Sequence, residues 1–94
     1  MSNQLKYRIM IRKTLESLAK TYEVEDFFEY ICETYLNGNK KSALELFFEM
    51  KPKDRADFMN ELNYCTFAQK LGDGEWQMDL LHDIIYSLYM TRRI

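Results

Sequence analysis

Ninety-four residues with a formal net charge of −2, 47% of them hydrophobic and 15% aromatic, suit one domain, which at this length buries roughly 60–65% of its unfolded surface. No window approaches the ~18–20 apolar residues of a membrane span, and Met1-Ser2-Asn3-Gln4 lacks the apolar stretch of a signal peptide. Cys32 and Cys65 lack the paired spacing of a zinc site or a secreted disulfide framework, which points to reduced thiols in a cytoplasmic protein.

Gly38, Pro52, Gly72 and Gly74 are the only glycines and proline, and all fall between apolar-periodic segments. Gly permits left-handed backbone and Pro is excluded from helix interiors, so these residues divide the chain into helices joined by short turns. The expected fold is all-α: a compact bundle of four to five short helices, with residues 1–94 as a single helical domain.

The first segment, residues 3 to 21, carries two signals. Leu5-Lys6-Tyr7-Arg8-Ile9-Met10-Ile11-Arg12 nearly alternates apolar and basic residues, which is a strand pattern. Tyr7, Ile11, Leu15, Leu18 and Tyr22 step by four, four, three and four, which is a helical stripe. Because no second strand-like run offers a pairing partner, the expectation is helix. Residues 1 to 20 sum to +4 and residues 21 to 50 to −5, so a basic first helix and an acidic second one would select each other as neighbours, each exposed ion pair adding about 0–1 kcal/mol.

Over residues 24 to 36, Val24, Phe27, Phe28, Ile31, Tyr35 and Leu36 share one face, while Glu25, Asp26, Glu29 and Glu33 share the other. Asn37-Gly38 supplies a left-handed stop. The third helix runs to about Met50, with Asn39 or Ser42 as its cap; Ser42-Ala43-Leu44-Glu45 has capping-box spacing. Pro52 then opens a fourth helix with Phe58, Met59, Leu62 and Cys65 as its inward stripe. Asn60, Asn63 and Thr66 are weak helix formers, and Thr66-Phe67-Ala68-Gln69 has capping-box spacing, so a bend or restart falls near residues 63 to 66. After Gly72-Asp73-Gly74 the last helix carries Leu80, Leu81, Ile84, Ile85 and Leu88, the strongest apolar stripe in the chain.

Catalytic chemistry has little to build on. His82, the only histidine, stands near Asp79 and Asp83 on the polar side of the last helix, with no third or fourth ligand converging on it by spacing. Cys32 and Cys65 lie among apolar neighbours, where cysteine behaves as a small hydrophobe. No phosphate loop, Ser-His-Asp order or dinucleotide fingerprint occurs. No enzyme activity, cofactor or metal is expected.

Recognition fits the residues better. Tyr, Trp, Phe and Met are enriched where proteins meet, and seven Tyr, six Phe, six Met and one Trp are many for this length. The expectation is a non-enzymatic protein-interaction module, acting as a regulator, inhibitor or assembly component on an unidentified protein partner. Its candidate contact residues are Tyr7, Arg8 and Arg12, the acidic Glu25 and Glu29, and the aromatic Tyr86 and Tyr89. Tyr86, Tyr89 and Met90 at the margin of the last helix also suggest a homodimer. The acidic second helix could instead imitate nucleic acid. The alternative from another class is a nucleic-acid-associated protein using the basic first helix, although the pI of about 5.4 opposes a phosphate backbone. In size, composition and lack of chemistry the chain resembles the orphan proteins of phages and mobile elements, a likeness that assigns no residue a role.

Overall fold

A computed structural model describes residues 13–91. The described residues form six helices and no strand: α1 (Leu15–Thr21), α2 (Phe27–Leu36), α3 (Lys40–Phe48), α4 (Pro52–Asn63), the single turn α5 (Ala68–Leu71) and α6 (Trp76–Thr91). The protein is an all-α helical bundle. Among the described residues no helix is long and apolar enough to cross a membrane.

A continuous helix over residues 3 to 21 does not form. Thr14 is extended, at φ −70° and ψ 161°, and its hydroxyl accepts from the Ser17 N–H at 3.1 Å, so α1 begins at Leu15. Thr is a good N-cap because its side-chain oxygen satisfies one of the amides that the first turn leaves unpaired. Just before it, Lys13 makes an isolated parallel bridge to Met50 beyond α3. Whether residues 5–12 are helix or strand lies outside the described residues.

Glycine accounts for only some of the helix ends. After α2, Gly38 takes φ +93°, with its N–H donating to Tyr35 O and the Asn39 N–H to Thr34 O. This crossed pair of bonds satisfies carbonyls that the last turn would otherwise leave free. The same pair closes α1, with Glu23 at φ +59°, and α4, with Cys65 at φ +56°. Neither side chain is suited to that region, where a Cβ crowds the following carbonyl at a cost of roughly 1–2 kcal/mol. Cys65 is therefore not part of the inward stripe of α4: its place beyond the last turn leaves it exposed.

Two expected capping boxes are also absent. Ser42 lies inside α3, which starts at Lys40 with Asn39 in the cap position. Thr66 does not cap α5; its hydroxyl reaches back to Glu61 O on α4 at 3.1 Å. The predicted restart does occur, because α4 ends at Asn63 and α5 begins at Ala68.

The core is assembled on two pairings, α2 against α3 and α4 against α6. Phe58 of α4 sits at its centre, fully buried, with ring centroids 5.1 Å from Phe28, 5.9 Å from Phe47 and 5.6 Å from Phe67. Aromatic pairs in this range and tilt add about 0.5–1.5 kcal/mol to their area burial. Around this cluster Leu18, Ile31, Leu62, Leu80 and Ile84 are completely buried. At one end of α6, Gln77 Oε1 accepts from the Phe67 N–H just beyond α4, and at the other Leu88 shares a cavity wall with Pro52 at the start of α4. The two helices therefore run antiparallel.

Candidate functional site

The residues proposed from the sequence are treated differently by the fold. Tyr7, Arg8 and Arg12 lie outside the described residues. Glu25 is in an exposed bend before α2 and not on the helix, because Asp26 takes the cap position and accepts from the Glu29 N–H at 3.2 Å. Glu29 lies in the first turn of α2 and meets Lys70 of α5 at 2.9 Å; this carboxylate pushes the Lys70 pKa up. The expected row of four equivalent carboxylates is thus not formed: one caps, one pairs, Glu25 precedes the helix and Glu33 is exposed. Glu25 and Asp26, with Glu16, rim a groove of about 450 Å³ floored by Leu15, Ala19, Phe27 and Phe28.

The titratable groups nearest the core are engaged structurally. Tyr35 donates to Asp83 Oδ2 at 2.7 Å, and burial, reinforced by that bond, pushes its hydroxyl pKa well up. Tyr22 donates to Glu49 Oε2 at 2.7 Å, and this bond, with burial, raises its pKa to about 12. Burial holds the Cys32 thiol protonated far above the ordinary range. Asp83 is therefore committed to Tyr35, while His82 and Asp79 are exposed. Among the described residues no group of three or more His, Cys, Asp or Glu side chains could hold a metal ion.

Helix α6 brings the last two proposed residues together. Its inward side carries Gln77, Leu80, Leu81 and Ile84, with Leu88 partly buried beyond them. At 3.6 residues per turn the opposite side passes through Asp79, His82, Tyr86 and Tyr89. Tyr86 is 65% exposed and Tyr89 60%, flanked by Ile85 at 48% and Met90 at 41%. Among the described residues six large hydrophobic side chains are exposed, and four of them fall within residues 85–90. Ile85 corrects the expected core stripe: it lies at the stripe's margin and turns outward, whereas Leu80, Leu81 and Ile84 are buried.

Sequence reasoning singled out Tyr86 and Tyr89 but assigned Ile85 to the core. A residue at the edge of an apolar stripe can face either way, and its position depends on which helices pack alongside. Buried Gln77 was missed altogether. Its Nε2 has no hydrogen-bond partner among the described residues, and only its tertiary bond to the Phe67 N–H explains a polar residue there.

Comparison with known proteins finds no match: no family model, no curated protein and no solved structure is similar to this chain.

Proposed function

We propose that the chain is a non-enzymatic protein-contact module that uses the outer face of α6. The observation that carries this reading is the apolar patch of Ile85, Tyr86, Tyr89 and Met90, placed on a helix whose other side is locked into the core. Tyr and Met are favoured in contact surfaces because each offers a large apolar area, with a polar or adaptable tip. A rigid helix presents them already ordered, so less conformational entropy is lost on binding. Clustering distinguishes this patch from singly exposed residues such as Tyr64. In a cell such a module acts as a regulator, an inhibitor or an assembly component.

A photo-reactive phenylalanine analogue placed at position 86 tests the reading in the native cell. The expected result is a light-dependent adduct from position 86 and none from exposed Asn60 on α4. No adduct at 86, or equal yields at both positions, would overturn it.

A further inference from the structure

We infer that Phe67 to Asp73, the single turn α5 with its flanks, forms a strap that lifts off the bundle as one unit while the other helices stay folded. Left-handed backbone brackets it, with Cys65 at φ +56° ahead and Gly72 at +95° and Gly74 at +155° behind. Gly72 closes α5 in open space: among the described residues no atom lies within 4 Å of the place its Cβ would take. The device uses the inward side of α6 and does not depend on the contact reading of its outer face.

Few contacts hold the strap down. Phe67 is the one buried residue between Asn63 and Trp76, its ring 5.6 Å from Phe58 and 6.5 Å from Phe28. Its N–H donates to Gln77 Oε1 over 3.3 Å, and Trp76 Nε1 donates to Gly72 O at 3.0 Å. The ion pair to Glu29 adds little, because the Lys70 side chain is 72% exposed. A helix of four residues does not sustain itself, since its nucleus costs more than its few hydrogen bonds return. Helix α5 is therefore helical only while docked, and lifting and unwinding are a single event.

Gln77 weakens the closed state from within. It is fully buried, its Oε1 is engaged by the strap, and its Nε2 has no hydrogen-bond partner among the described residues. A buried donor without an acceptor counts against the state that buries it, and water relieves that penalty once the strap lifts. The open state bares the Phe58 and Phe28 surfaces that Phe67 covers, together with both polar ends of Gln77. The strap thus switches an apolar cleft between hidden and accessible.

Native-state amide hydrogen exchange of the full chain in increasing, sub-denaturing urea tests this. The strap is read from Phe67, Leu71 and Gly72, whose N–H groups donate to Gln77 Oε1, Phe67 O and Ala68 O, and the bundle from Leu62 and Leu80. The expected result is protection of the three strap amides that agrees within about threefold and lies at least ~100-fold below that of Leu62 and Leu80. Urea should erode the bundle amides steeply and the strap amides little, because lifting the strap exposes little surface. Ile84→Val, two turns beyond Gln77, should lower Leu62 and Leu80 protection several-fold and leave the strap unchanged. Strap amides as protected as Leu62 and Leu80, or falling in step with them in urea or in Ile84→Val, would overturn the inference. Strap amides without protection would remove the closed state, and a spread of more than about tenfold among the three would show that they open singly and not as a unit.

Discussion

The two halves of α6 have the same kind of sequence and opposite surroundings. Through Ile84 its apolar residues are buried (Leu80, Leu81 and Ile84) or partly buried (Trp76 and Met78) against the rest of the bundle; from Ile85 to Met90 four large side chains face outward, with only Leu88 turned towards α4. Local hydrophobicity is therefore a poor guide to burial near the end of a helix, because burial depends on what packs alongside. Apolar side chains that the core does not require are available for contact.

The contrast is sharpest at its buried pole. Phe58→Ala should cost about 3–5 kcal/mol, since it removes the ring that Phe28, Phe47 and Phe67 all touch and leaves a cavity among them. Chemical denaturation would record a midpoint far below that of the wild type. A loss under ~1 kcal/mol would mean that the phenylalanine cluster is not the centre of stability.

Smaller effects of opposite sign belong to the helix ends. Glu23→Gly should stabilise the protein by about 0.5–1 kcal/mol, because relief of the left-handed strain exceeds the extra entropy of an unfolded glycine. Cys65→Gly should do the same at the end of α4. A lowered denaturation midpoint for both variants would show that the left-handed backbone at these stops is not strained.

These ends also show what the sequence makes legible. The stops at Gly38 and Gly72, the Pro52 start and the restart after Asn63 could all be read, because Gly, Pro and weak helix formers act locally. Glu23 and Cys65 could not, since nothing in either side chain favours left-handed backbone; the crossed hydrogen bonds and the packing on either side hold them there. The candidate site divides in the same way. Tyr86 and Tyr89 could be found from the helical period, whereas the outward turn of Ile85 depends on tertiary neighbours, as do the Glu29–Lys70 pair and the Tyr35–Asp83 bond.

A separate effect should appear at high pH. The Tyr22 hydroxyl has its pKa raised from 10.0 to about 12, so the folded state holds this proton more tightly than the unfolded state. Its contribution to stability is complete below about pH 10 and is lost as pH rises from 10 towards 12. Urea midpoints of the wild type should fall across this window, and Tyr22→Phe should flatten part of the fall. Equal slopes for both proteins would remove Tyr22 from the account.

The smallest expected effect is the most telling. Thermal melting of Tyr86→Lys compares the outer half of α6 with the core directly. The account predicts a melting temperature within about 2 °C of the wild type, because an exposed side chain away from caps and core changes stability by no more than ~0.5 kcal/mol. Ile84→Lys, which places a charge in the sealed half, should fail to fold under the same conditions. A fall of 10 °C or more for Tyr86→Lys, on the ~4–8 °C per kcal/mol expected at this size, would contradict the account by placing Tyr86 in the fold instead of on a contact surface.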